Sequence, residues 1–78
     1  MDNYIKIVEL NNEIEANLMD DILNDRDIPH LINSYRDIAY DGIFQLGSWG
    51  HIEADPENEE EIKEIYKKAV DKIKNGEN

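Results

Sequence analysis

The pattern of apolar and polar positions divides the chain into short strand-like runs and two longer amphipathic segments. Residues 4–10 form a β-branched and aromatic run that predicts a first strand. Asn11 or Asn12 then offers a helix N-cap oxygen, and apolar residues recur at helical spacing until the helix ends within residues 24–27. The predicted apolar face of this helix holds Ile14, Leu18 and Ile22, with Met19 and Leu23 beside them.

The second half of the chain returns to strand character and closes with another helix. Residues 28–35 predict a second strand, where Pro29 is tolerated because a first or edge position need not donate a backbone N–H. Residues 50–54 predict the last strand. Asp55 followed by Pro56 is a strong helix start, so a final helix is predicted from Pro56 to about Lys74. Its predicted core face is Ile62, Ile65, Tyr66, Ala69, Val70 and Ile73.

The order of these elements predicts an α+β fold. Residues 36–50 mix glycines with large apolar residues, which favours a structured loop with some strand. We therefore expect a ferredoxin-like βαββα unit with the last strand missing, in which a three-stranded, antiparallel-rich sheet carries two helices on one face. The other face of the sheet is then open. Residues 1–78 are expected to form a single domain, with residues 75–78 as a frayed tail.

Charge and cysteine content narrow the classes of partner and chemistry. The net charge of −11 disfavours nucleic acid and anionic membranes, since both are bound mainly through Lys and Arg. The absence of cysteine excludes disulfides, thiol catalysis and thiolate metal sites. Because the N-terminal residues lack a signal-peptide pattern and no run approaches the roughly 20 apolar residues of a membrane helix, we expect a cytoplasmic protein.

Catalytic and metal-binding patterns have little support in this sequence. No hydrolase, nucleotide-binding or metalloprotease motif is present, so we expect a non-enzymatic protein without a cofactor. His30 and His51 are predicted on neighbouring strands, and with Asp37 or Asp41 they would offer nitrogen and oxygen ligands. Their spacing matches no known local motif, so we predict no metal site.

The most informative segment for function is residues 35–50, which combines flat aromatic side chains with hydrogen-bonding groups. Such residues dominate binding hot spots. Three interpretations remain open: simple packing over the sheet end, an interface with a protein partner or a second copy in a homodimer, and a small-molecule site. We favour a regulatory or protein-interaction module, with a small-molecule sensor as the alternative. The candidate binding residues are Tyr35, Arg36, Asp37, Tyr40, Asp41, Gln45 and Trp49.

The same segment carries a resemblance to a known family. Residues 27–45, with the sequence DIPHLINSYRDIAYDGIFQ, and the Trp-Gly-His-Ile run of residues 49–52 resemble the small bacterial domains described as signal-transducing proteins of unknown function. The resemblance covers roughly residues 4–70. It implies a ferredoxin-like fold similar to that of the nitrogen-regulatory PII proteins, and it implies no particular reaction, substrate or catalytic residue.

Overall fold

The computed structural model describes residues 3–35 and 48–76, with the side chains of residues 3–35 and 48–74. Three strands, two helices and one 3-10 turn make up this part of the chain. In chain order they are β1 (Ile5–Leu10), α1 (Glu13–Asp25), β2 (Leu31–Ser34), β3 (Gly50–Ala54), the 3-10 turn (Pro56–Asn58) and α2 (Glu59–Gly76).

The strands form one sheet in the order β1-β3-β2, and β3 is antiparallel to both neighbours. β1 and β2 therefore run in the same direction on either side of β3, and α1 connects them. This arrangement places the strand that is last in the chain at the centre of the sheet. The predicted α+β class and the ferredoxin-like order of the elements are confirmed.

Both helices cover the same face of the sheet. The residues of β3 alternate strictly: Gly50, Ile52 and Ala54 are buried under the helices, whereas His51 and Glu53 lie on the opposite face. This alternation follows from the two-residue period of a strand. The largest fully buried side chains, Leu10, Met19, Leu23, Ile52 and Ile62, come from four of the five strands and helices.

The start of α1 corrects part of the predicted helix face. Asn12 is the N-cap, and its Oδ1 accepts a hydrogen bond of 2.9 Å from the backbone N–H of Glu15. The Glu15 carboxylate turns back to accept at 2.9 Å from the backbone N–H of Asn11, one residue before the N-cap N–H that a capping box would use. Glu15 is buried, whereas Ile14, predicted to face the core, is 67% exposed. The buried stripe of the helix is Glu15, Ala16, Met19 and Leu23.

The second strand is shorter than predicted because the residues before it form the C-terminal cap of α1. Asp27 has a positive φ of 59°, and the backbone N–H of Ile28 donates to the carbonyl of Leu23 at 2.9 Å. These are features of a Schellman helix end, in which the side chains of Ile28 and Leu23 both join the core. The strand therefore begins at Leu31, and Pro29 lies outside it.

The predicted core face of the last helix and its Asp55 cap are confirmed, but the α-helix begins at Glu59 rather than at Pro56, after the 3-10 turn. Asp55 caps the 3-10 turn by accepting from the backbone N–H of Glu57 at 2.9 Å, and Pro56 opens that turn. On α2, Ile62, Ile65 and Ala69 are buried, while Tyr66, Val70 and Ile73 are half-buried. Within residues 3–35 and 48–76, neither helix combines the length and hydrophobicity needed to cross a bilayer.

Candidate functional site

A group of polar side chains covers the face of the sheet opposite the helices. The strand register brings them together: Lys6 lies opposite Glu53, and Glu9 and Asn33 lie on either side of His51. Tyr35 follows directly after β2 and joins the same group. We call this set the open-face cluster, and its members are Lys6, Glu9, Asn33, Tyr35, His51 and Glu53.

His51 is the centre of the cluster, because both of its ring nitrogens are hydrogen-bonded. Nδ1 lies 2.8 Å from the hydroxyl of Tyr35, and Nε2 lies 2.8 Å from Oε2 of Glu53. The two rings are also in contact, with centroids 5.4 Å apart at an angle of 49°. Asn33 then donates from Nδ2 to the same Glu53 oxygen at 3.0 Å.

These contacts accommodate two protonation states of His51. A neutral ring with its proton on Nε2 donates to Glu53 and accepts from the Tyr35 hydroxyl. A charged ring donates to both partners, and the Tyr35 hydroxyl then donates to the Glu9 carboxylate, whose two oxygens lie 3.3 Å and 3.4 Å away. In either state every hydrogen of the chain Glu9–Tyr35–His51–Glu53 has an acceptor.

The β1 end of the cluster is an ion pair between Lys6 and Glu9. Lys6 Nζ lies 2.8 Å from Oε2 of Glu9, and both side chains are about half exposed. A regular strand would place residues three apart on opposite faces. The extra residue at Ile7, a β-bulge, brings Lys6 and Glu9 onto one face.

The ion pair and its surroundings shift the pKa values of three groups. The hydrogen bond with Glu9 raises the pKa of Lys6, and the same bond lowers the pKa of Glu9. Burial, followed by the nearby negative charge of Glu9, raises the pKa of the Tyr35 hydroxyl. At neutral pH the β1 end therefore holds one positive and one negative charge beside an uncharged phenol.

Only part of the predicted binding segment lies within the described residues. Tyr35 belongs to the open-face cluster, whereas Trp49 packs against the core and lines a groove that also contains α1 residues. A backbone hydrogen bond of 2.9 Å from Tyr35 N–H to the Trp49 carbonyl holds the two residues side by side. The other predicted binding residues, Arg36, Asp37, Tyr40, Asp41 and Gln45, lie outside the described residues.

The prediction that His30 lies on a strand is wrong, whereas His51 lies on β3 as predicted. His30 precedes β2 and contacts the helix side, with Nε2 2.7 Å from Oδ1 of Asp20 and Nδ1 2.8 Å from the carbonyl oxygen of Ile28. His51 is instead paired with Asn33. The cause is the late start of β2, which leaves His30 outside the ladder. Across residues 3–35 and 48–74, the structure brings together no group of three or more His, Asp or Glu side chains that would hold a metal ion.

A second polar group, partly buried, lies between the two helices and serves the fold. The Glu15 carboxylate accepts from the hydroxyl of Tyr66 on α2 at 2.8 Å, in addition to its contacts with Asn11. Burial and the Glu15 carboxylate raise the pKa of Tyr66 far above its ordinary value. Because Glu15 is 7% exposed and both of its carboxylate oxygens accept hydrogen bonds, it is a clamp between helices rather than an accessible acid.

Sequence reasoning missed four members of the open-face cluster: Lys6, Glu9, Asn33 and Glu53. The alternation of Gly-His-Ile-Glu-Ala in β3 already indicated that His51 and Glu53 share a face. The β1 residues carried no such signal, because the bulge at Ile7 interrupts their alternation.

No family model, curated protein or solved structure matches the chain. The resemblance to bacterial signal-transducing domains therefore stays an expectation from the sequence, and a functional proposal has to rest on the geometry of the chain itself.

Proposed function

We propose that this protein is a small, non-enzymatic regulatory or interaction module that binds a protein partner through the open face of its sheet. The open-face cluster carries this proposal. It spreads hydrogen-bonding groups of both charge signs over three strands, on a face that neither helix covers. Tyr35, from the predicted binding segment, is a member of this cluster.

The charges of the cluster favour a partner with basic groups. Two carboxylates, Glu9 and Glu53, lie on the face together with the single ammonium group of Lys6. The whole chain carries a net charge of −11, which adds to the negative potential around this face. Complementary charge accelerates association and selects partners. A protein surface that presents Lys or Arg side chains fits this potential, whereas an acidic surface or a phosphate backbone is repelled.

The form of the surface supports binding rather than catalysis. General acid and base catalysis needs an ionisable group held in a cleft around a substrate. The outer members of the cluster, Lys6 and Glu9, are about half exposed, and Glu53 is 30% exposed, on a strand face rather than in a cavity. Two grooves formed by described residues lie on the helix side, one between α1 and α2 and one beside His30 and Trp49.

Site-specific photo-crosslinking in cells tests this proposal. Leu31 is 53% exposed and its strand register places it opposite Glu53, so a benzoylphenylalanine at position 31 samples the edge of the open face as well as the groove beside His30, which Leu31 also lines. Ile14 is a matched control, because it is an equally apolar and 67% exposed residue on α1. We expect a discrete protein adduct from position 31 and none from position 14.

The adduct must also depend on the cluster. Combining the probe at position 31 with Glu9→Lys or Glu53→Lys should abolish crosslinking, because either substitution reverses the sign of the face. Equal adducts from positions 31 and 14, or an adduct that survives both charge reversals, would contradict the proposal.

A further inference from the structure

β1 is an edge strand within the described part of the chain. Its hydrogen-bonded neighbour there is β3, which leaves the backbone groups on its other side directed outward. Edge strands that are short, bent or charged resist pairing with another strand. β1 carries a bulge at Ile7 and the charges of Lys6 and Glu9, so that a partner strand has to match both features. β1 has six residues and is the longest strand of the sheet. We propose that this edge is a self-association site, at which β1 of a second copy pairs antiparallel to form a continuous six-stranded sheet.

The faces of the β1 side chains select one register for this pairing. Lys6 and Glu9 lie on the open face. The remaining residues, Ile5, Ile7, Val8 and Leu10, lie on the helix side, where Ile7 and Leu10 are core residues and Val8 packs against the core. A pairing register must match faces, because a slip by one residue exchanges the side chains between the two faces.

In a two-fold symmetric pair, each residue lies opposite a fixed partner in the other copy. When Lys6 lies opposite Glu9 of the second copy, Ile7 lies opposite Val8 and Ile5 opposite Leu10, and every pair matches in face. Shifting this register by one residue in either direction places an open-face residue opposite a helix-side residue. Shifts that put Lys6 or Glu9 opposite itself bring like charges together, which destabilises a strand pair.

The matching register is also complementary in charge and in hydrophobicity. Symmetry creates two Lys6–Glu9 pairs between the copies, in addition to the 2.8 Å pair that each copy already holds. On the other face, Ile5, an exposed large hydrophobic residue at 37%, would pack against the apolar residues of the second copy. The bulge at Ile7 is what permits this match, since it places Lys6 and Glu9 on one face.

The register can be tested with charge-reversal variants that complement each other, by measuring dimer formation in analytical ultracentrifugation. About 0.15 M salt screens the long-range repulsion between the acidic chains. Lys6→Glu places two carboxylates opposite each other at both ends of the pair, and Glu9→Lys places two ammonium groups there. Each variant alone should have a dimer dissociation constant at least about tenfold above that of the wild type. An equimolar mixture should recover association as a heterodimer, because each charge then meets its opposite.

Two further variants keep the test decisive. The exchange Lys6→Glu with Glu9→Lys in one chain restores both the internal and the intermolecular pairs, so it should associate like the wild type even if a single variant folds poorly. Asn33→Arg changes the open face at β2, away from the β1 edge, and should leave association unchanged. The Asn33→Arg variant therefore distinguishes self-association at the β1 edge from partner binding on the open face. Either of the two proposals can fail while the other holds.

A wild-type protein that stays monomeric throughout the concentration series would overturn the inference, and so would single variants that associate as well as the wild type. A mixture without recovered association would also contradict it, as would an Asn33→Arg variant whose association is as impaired as that of Lys6→Glu. The last of these would assign self-association to the open face instead of the β1 edge.

Discussion

The two faces of the sheet show how one short strand serves two purposes. On the helix side, β3 contributes Ile52 and Ala54 to a core in which both are fully buried. On the other side, the same strand contributes His51 and Glu53 to a hydrogen-bonded cluster that is partly exposed. Burial of apolar surface is worth roughly 25 cal/mol per Å², whereas an exposed ion pair contributes at most about 1 kcal/mol. Stability therefore resides on the helix side, which leaves the open face available for binding.

Truncation of a core residue should give the largest difference in stability loss between the helix side and the open face. Ile52→Ala removes a fully buried side chain and should lower the free energy of unfolding by about 2–5 kcal/mol, measured by urea denaturation. Glu53→Ala, one position along the same strand, should cost less than about 1 kcal/mol because it removes contacts of a partly exposed group. Similar losses in the two variants would show that the open face also supports the fold.

A smaller but substantial effect is expected at Gly50, where the backbones of β2 and β3 approach closely. A Cβ built at this position collides with the carbonyl oxygen of Asn33. Since that oxygen belongs to the sheet backbone, it cannot move aside as a flexible side chain would. Gly50→Ala should destabilise the protein by about 1–3 kcal/mol in thermal or urea unfolding. An unchanged melting temperature would show that β2 is held to β3 less closely than the structure indicates.

The buried contact between Tyr66 and Glu15 should give an intermediate effect with a distinctive pH dependence. Tyr66→Phe removes a hydrogen bond to a carboxylate and should cost about 1–2 kcal/mol. The fold raises the pKa of Tyr66 above its ordinary value of 10.0, so the stability from this group is fully present below pH 10 and is lost as pH rises further.

Urea denaturation between pH 8 and pH 11 compares the wild type with the Tyr66→Phe variant. The wild type should lose stability more steeply toward high pH, and the two free energies should converge. Parallel curves would mean that the Tyr66 hydroxyl is not coupled to folding.

The smallest effect is expected at Glu9, on the open face. The fold lowers the pKa of Glu9 below its ordinary value of 4.5, so its stabilising contribution is present above pH 4.5 and is lost as pH falls further. Because the side chain is about half exposed, Glu9→Gln should cost less than about 1 kcal/mol at pH 7. The difference from wild type should shrink by pH 3 in urea melts, and a difference above 2 kcal/mol at pH 7 would contradict the assignment of stability to the helix side alone.

The sequence predicted the elements that depend on local chemistry. Asn12 and Asp55 act through hydrogen bonds to residues two or three positions away, and Pro56 acts through its fixed φ, so their roles were readable without the fold. The core face of α2 was predicted correctly because its apolar residues recur at helical spacing. The α+β class followed from the order of these elements.

The errors occurred where a contact between distant residues decided the outcome. Glu15 is buried in place of Ile14 because Tyr66, far along the chain on α2, donates to its carboxylate. His30 was assigned to a strand because nothing in its neighbourhood signalled the Schellman end of α1 at Asp27. The open-face cluster depends on the strand register and on the bulge at Ile7, and neither can be read from one sequence. Of the predicted binding residues within the described part, Tyr35 alone joins this cluster.

The central position of β3 has a consequence for how the chain folds during synthesis. β1, α1 and β2 all precede β3, yet β1 and β2 have no hydrogen bonds to each other in the sheet. While these segments emerge from the ribosome, α1 can form locally, but both strands wait for Gly50–Ala54 before their ladders can close. Contacts between positions so far apart in sequence slow folding, and unpaired strands in a nascent chain are prone to aggregation. The sheet is thus expected to assemble in one late, cooperative step rather than strand by strand.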